Sequence, residues 1–258
     1  MARKDGGIWS TRLSGVLLIL MLLGLWEFSA RVLVHSPNWP PLTDVLRALA
    51  AGLTSPELPM IFASTLGRML AGFTIGATIG IAVGLAMGTS RFVHHMLEPL
   101  IEFMRPLPVP GIIPPLILLL GIDDKMKIFV IGFSAFFPIV INTAQGVRAA
   151  DPTLIATART FRHGRLRVLR SIILPASLPY IFSGLRISLA LALIVTIVAE
   201  MISGSQGLGH YLITMQYAMR AADMYAAVIL IAAAGYLLNL AFLAVEHRVL
   251  HWYFASQG

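Results

Sequence analysis

The chain has no cysteine, so disulfides, thiolate metal sites and thiol catalysis are excluded. Charge is scarce as well: 12% of the 258 residues are charged, against 57% hydrophobic. Soluble domains carry roughly a quarter charged residues because their surfaces face water. With a mean hydropathy of +0.83, much of this surface must face lipid. Lysine is confined to Lys4, Lys125 and Lys127, none of them after a glycine. A phosphate-cradling loop of the G-x-x-x-x-G-K-[ST] type therefore cannot form. His94 and His95 are adjacent and the other five histidines are scattered, so ligand geometry cannot be argued. No nucleophile, base and orienting group recur at a usable spacing either, and the chain is not expected to be an enzyme. The net charge of +7 would suit nucleic acid, but the arginines lie between apolar runs, where they set membrane orientation instead.

Six segments approach the roughly 20 apolar residues that a spanning helix needs. They lie near 13–34, 69–88, 98–120, 127–146, 177–199 and 224–244. The expected fold is all-α and polytopic, with one transmembrane domain over 13–244. The first run is too long for a signal-peptide core and has no small-residue cleavage pattern, so it reads as a retained helix. The third holds Pro106, Pro108, Pro110, Pro114 and Pro115. It is either broken backbone lining a pathway or an interfacial stretch before a shorter helix. Residues 35–68 are too polar and proline-broken to cross, and a short amphipathic helix is expected there after Thr43 and Asp44, through Leu53.

Arginine and lysine bias orients the chain. Arg3, Lys4, Arg12, Arg91, Arg148, Arg248 and the arginines of 147–176 fall on one side, and Arg31, Arg47, Arg68, Lys125, Lys127 and Arg220 on the other. The richer side is the cytoplasm. Residues 1–12, the loop 147–176 and the tail 245–258 are thus expected inside, in a bacterial inner membrane.

Gly72, Gly76, Gly80, Gly84 and Gly88 recur every four residues. They form one small-residue face on which a second helix backbone can approach closely, as a static seam or a sliding one. Charges within spans are expensive and mark candidate pathways. Glu102 and Arg105 could meet a polar substrate or neutralise each other. Arg186 could hold an anion or snorkel to the surface. Glu27 has no evident partner, and Glu200 sits at the outer end of the fifth span, where it could shape a gate.

The loop between the fourth and fifth spans is the most patterned segment. Asp151-Pro152 suits a helix start, and Leu154, Ala158 and Phe161 are expected on one face. His163-Gly164 offers a stop, and a second short helix is expected before Pro175 opens the next span. The loop is either a shape for insertion into a partner's cleft or a basic connector that enforces topology.

Ala156-Thr157-Ala158, then Arg159, Thr160 and Phe161, then Arg162, and Ile172-Ile173-Leu174-Pro175 nine residues on, keep the spacing of a known loop. It is similar to the E-A-A, three residues, G, nine residues, I-x-L-P loop of binding-protein-dependent ABC importer permeases. GIDDKMKIF at 121–129, FPIVINTAQGVR at 137–148, ILPASLPYIFSGLR at 173–186 and IVAEMISGSQGLG at 197–209 resemble the nitrate, sulfonate and taurine branch of that family. The resemblance implies a type I importer fold whose coupling loop docks in a groove on an ATPase. It also implies two ATPase subunits that use ATP and Mg, a second permease subunit, identical or homologous, and an extracytoplasmic solute-binding protein. The implied cargo is a small organic or inorganic anion such as a sulfonate, taurine or nitrate. Ala156 and Arg162 stand where the family has glutamate and glycine, and the bend is expected to move to Gly164. An ion-driven secondary transporter or channel is the alternative; it would need an internal repeat or functional acids within the spans.

Overall fold

The computed structural model describes residues 8–255, all the regular structure being helical. Arg3, Lys4 and the last residues of the expected C-terminal tail lie outside the described residues, as does the side chain of Arg12. Five helices are long and apolar enough to cross a bilayer: Ser14–Leu33, Glu57–Thr89, Asp124–Arg148, Arg165–Ser203 and Ala221–Val249. Arg91–Met104 and Val109–Leu120 pass the same test only as a pair, bent by 97°.

The described residues fall into two compact units, one ending at Met60 and including Tyr211–Ile231, the other Ile61–His210 with the chain from Ala232 on. In the first, α1 (Ile8–Phe28) runs on through a π-turn at Ser29–Leu33. The chain then turns at 34–41 into α2 (Leu42–Thr54). The amphipathic helix expected there is present, and its aromatic and polar anchors are explicit. Trp26, Trp39 and Tyr225 pack ring against ring at 5.7–6.1 Å. The Trp26 indole donates to the Pro40 carbonyl at 3.2 Å. Glu27, expected to lack a partner, accepts from Arg31 at 2.6 Å and from the Thr43 amide at 3.1 Å. The carboxylate thereby ties the turn back onto α1.

In the second unit the core is built around α6 (Asp124–Arg148). Met69, Ile113, Val130, Ile131 and Ala192 form a continuous buried cluster drawn from four helices. These are α3 (Glu57–Thr89), α5 (Val109–Leu120), α6 and α9 (Leu174–Ser203). α3 begins at Glu57, twelve residues before the run at 69, because 57–68, with Leu58, Ile61, Phe62 and Leu66 among its residues, continue the same helix.

The glycine face of α3 lies on α6. A Cβ added to Gly72 would meet Ile131 at 2.6 Å, and one added to Gly84 would meet Thr143 at 2.5 Å. At Gly76 it would collide with the Gly132 carbonyl, and at Gly88 with Val147. At Gly80 it would press on Ile139 at 3.0 Å. Partner numbers rise along both helices together, so α3 and α6 run parallel.

That register settles how the proline-rich segment travels. Arg68 pairs with Asp124 at one end, and Gly88 meets Val147 at the other. The chain must therefore return about 30 Å between Thr89 and Asp124, at 1.5 Å per residue. α4 (Arg91–Met104) and α5 make that return as one broken crossing, which brings the crossings to six. The break falls at residues 105–108, where Pro106 and Pro108 remove backbone donors.

The loop after α6 holds α7 (Pro152–Thr160) and α8 (Arg165–Val168). α8 is not a separate helix before the fifth span, as expected; it is continuous with α9 through a π-turn at Leu169–Ile173. Pro175 has no amide to donate, and the wider turn accommodates its ring without ending the helix. α10 (Leu208–Tyr217), α11 (Ala221–Val249) and α12 (His251–Ala255) complete the chain.

Candidate functional site

Three features of the second unit carry chemistry. The first is a cavity of about 390 Å³ between the α4–α5 break, α6 and α9. Ser134, Pro138 and Asn142 line it from successive turns of α6, beside Phe133 and Phe137, with Leu191 opposite. Pro138 cannot donate to the Ser134 carbonyl, which leaves an acceptor on this wall. The Asn142 side chain donates to the Pro138 carbonyl at 2.8 Å. Arg105 stands at the break and lines the same cavity, its guanidinium without a carboxylate partner among the described residues.

Glu102 and Arg105 do not pair. Glu102 lines a separate cavity with His94, Glu98 and Arg148, because α4 ends between the two residues. Arg186 does not face the Arg105 cavity either; it reaches Glu246 of α11 at 3.1 Å.

The second feature is a buried polar cluster at the end where α3 and α6 begin. Glu200 is fully buried and accepts from Arg68 at 2.9 Å, Thr65 at 3.0 Å and the Gly209 amide at 3.1 Å. Arg68 also binds Asp124 at 2.6 Å. Lys127, 1% exposed, donates to the Gln206 carbonyl at 3.1 Å. Arg68 thus bridges two carboxylates while Lys127 is held by a backbone carbonyl, which offsets part of the cost of burying charge. The loop 204–209 closes over Glu200, and Gly207 adopts φ +137, where an added Cβ would strike the carboxylate. In the sequence alone, Arg68 and Lys127 stand as loop charges that set topology, and Glu200 as a gate or pathway candidate. The missed signal was Lys127 itself, the last charge before the run 128–141 turns apolar, where a helix continuing through it places the ammonium against its neighbours.

The third feature is the loop 149–173. Asp151 caps α7, its carboxylate accepting from the Thr153 amide at 2.7 Å. Leu154 and Phe161 are exposed, Phe161 by 72%, whereas Ala158 is buried at 6%. The three therefore do not share one face: the helix ends at Phe161, whose ring leaves the α7 pattern while Ala158 points inward. The bend has not moved to Gly164, which is extended at φ −65. Arg162 makes it, in the left-handed region at φ 56. The His163 amide donates to Ala158 at 3.0 Å and the Arg162 amide to Arg159 at 2.9 Å. This is the paired bonding of a glycine-type helix stop, made here by an arginine. Ile172, Leu174 and Pro175 lie in the π-turn and the start of α9, and Ala156, Thr157 and Arg159 on the exposed turns of α7.

Parallel α3 and α6, a broken crossing between them and a two-helix loop feeding a long return helix define a transporter subunit. Its chain belongs to the family described as binding-protein-dependent transport system inner membrane component, whose profile matches residues 76–251. It is 34% identical over 245 residues to the putative aliphatic sulfonates transport permease protein SsuC of Escherichia coli K12, covering 95% of this chain and 93% of that one. It is also 34% identical to the bicarbonate transport system permease protein CmpB of Synechococcus elongatus, over 90% and 88% of the two chains. Among solved structures, an inward-facing MetNI methionine ABC transporter superposes with a TM-score of 0.64 at 19% identity, covering 76% of this chain and 99% of that one. The protein is thus a multi-pass inner-membrane permease of an ABC importer, a non-catalytic subunit of a complex that includes ATPase subunits.

Proposed function

We propose that this permease conducts a small anion of the sulfonate or bicarbonate kind, and that the cavity at the α4–α5 break is its half of the pathway. The observation that carries the reading is Arg105, an unpaired guanidinium at the mouth of a cavity otherwise lined by Ser134, Asn142 and aromatic rings. A planar donor fork suits an oxyanion, and the apolar wall suits a short organic tail. The two relatives named for sulfonate and bicarbonate fit the same chemistry.

The working assembly has two ATPase subunits that use ATP and Mg, a second permease subunit and an extracytoplasmic solute-binding protein. Both termini and the loop 147–176 face the cytoplasm, where Leu154 and Phe161 enter the ATPase groove. Closure of the ATPase pair draws the loops together and turns the cavity outward. The five-glycine seam lets α3 and α6 shift against each other without separating.

Uptake in proteoliposomes with ATPase and binding protein tests the pathway. Arg105→Gln is expected to lower anion uptake at least tenfold while ATPase retention holds, and Arg105→Lys to restore part of it. Wild-type uptake by Arg105→Gln would remove this cavity from the pathway. In the cysteine-free background, a cysteine at position 55 is expected to label from outside and one at 165 only after permeabilisation; the reverse would overturn the orientation.

A further inference from the structure

At the loop end of the second unit lies a cavity of about 900 Å³ between the α3–α4 turn and the loop 155–173. Its charged lining is of one sign: Arg91, Arg159 and Arg165, with His163 beside them and no carboxylate. None of these guanidinium groups has an ion-pair partner among the described residues. An adjoining cavity shares Arg91 and adds Arg148, His94 and His95, again with no acid in its lining. Thr89 and Ser90 of the α3–α4 turn add hydroxyls, and the remaining wall is largely apolar: Val147 from the last turn of α6, with Leu166, Leu169 and Ile173 from α8 and the π-turn.

We propose that this cavity binds the headgroup of an anionic phospholipid of the cytoplasmic leaflet, with its acyl chains against the apolar wall. The inference rests on the reading that loop 147–176 is cytoplasmic. Three arginines without ion-pair partners line one cavity, so an anion seated in it would be attracted to all three. The cavity also lies where the apolar ends of α3 and α6 give way to the basic loop, the level of the headgroups. An acidic protein segment would satisfy the arginines but leave the apolar wall uncovered, and a free phosphate would fill a small part of the space. Basic pockets beside transmembrane helices on the cytoplasmic side suit lipid phosphates in this way. Arg159 and Arg165 flank the Phe161–Arg162 bend, so a bound headgroup would brace both arms of the coupling loop.

The test measures retention of cardiolipin and phosphatidylglycerol by the full-length permease–ATPase complex, in nanodiscs and after delipidation in detergent. Wild type is expected to retain an anionic lipid in preference to phosphatidylcholine. Arg91→Gln/Arg159→Gln/Arg165→Gln is expected to weaken retention on the order of a hundredfold, at roughly fivefold per arginine. The triple lysine variant should stay within a few-fold of wild type, and Arg167→Gln, outside the cavity lining, should match it. Should the glutamine variant not fold, wild-type salt dependence decides: retention should fall steeply between 0.1 and 1 M salt, as the screening length drops from about 10 to 3 Å. Salt-insensitive retention, equal retention by the triple glutamine variant, or an equal loss with Arg167→Gln would each overturn the proposal. So would displacement by millimolar inorganic phosphate, which would mark a free-phosphate site, or loss of ATPase with lipid unchanged, which would mark a protein contact. A reversed orientation would leave the arginine dependence intact and move the lipid to the other leaflet, so the two failures read differently.

Discussion

The two ends of the α3–α6–α9 core treat charge in opposite ways. At one end Arg68, Lys127, Glu200 and Asp124 gather in or beside the protein interior, each with a hydrogen-bond partner from the chain itself. At the other, Arg91, Arg159 and Arg165 stand without anions, Phe161 is exposed, and an arginine occupies a strained left-handed bend. The first end is complete on its own. The second has its hydrogen-bonding and apolar capacity unspent, which is what a subunit needs where its partners attach. On the proposed orientation, the sealed end faces outward and the open end is the one that meets the ATPase.

Breaking the sealed end should have the largest effect on stability. Glu200→Ala leaves Arg68 with its buried guanidinium half-paired and strips the Thr65 and Gly209 donors of their acceptor. A loss of about 3–5 kcal/mol is expected, read as a lower Tm of the purified protein. Arg68→Met/Glu200→Leu, which removes both charges, should recover part of it. A Glu200→Ala protein as stable as wild type would contradict the account of this end as a self-contained lock.

A smaller effect is expected along the seam that joins the two ends. Gly76→Ala forces α3 away from the Gly132 carbonyl and should cost about 1–3 kcal/mol. Ala82→Leu, on the exposed face of the same helix, should stay within about 0.5 kcal/mol. Equal effects of the two would mean that the helices do not depend on close approach.

The smallest effect belongs to the open end. Arg162→Gly removes the crowding that an L side chain suffers at positive φ and should stabilise the loop by roughly 1 kcal/mol. Slower exchange of the amides at positions 162 and 163, which make the two stop bonds, is the readout. No change there would mean that the left-handed bend is not held in solution.

Much of this architecture was legible because membrane residence leaves strong periodic signals. The apolar runs, the four-residue glycine repeat and the Asp151-Pro152 helix start are local features, and each survives in three dimensions. The pairing of Glu200 with Arg68 and the burial of Lys127 are not legible locally, because a charge near a span end looks the same whether it faces water or a partner 132 residues away. Arg162 was misjudged for a different reason. Composition favours glycine at a left-handed position by only about 1–2 kcal/mol, and the two hydrogen bonds of the stop outweigh that preference. The α4–α5 pair was read only as an alternative between a broken span and an interfacial stretch. The parallel register of α3 and α6, a fact of tertiary structure, decides between them.

The proposed role of the open end is to grip the ATPase. The direct measurement is ATPase retention by Phe161→Ala in detergent, paired with solute-stimulated hydrolysis and uptake in proteoliposomes. Phe161 is largely exposed in the subunit, so its loss should leave membrane insertion and Tm unchanged. As a central aromatic anchor it should carry about 2 kcal/mol or more of the docking energy. Retention is therefore expected to weaken about thirtyfold, with uptake uncoupled from hydrolysis. Wild-type retention with coupled uptake after Phe161→Ala would contradict the claim that this loop is the coupling element.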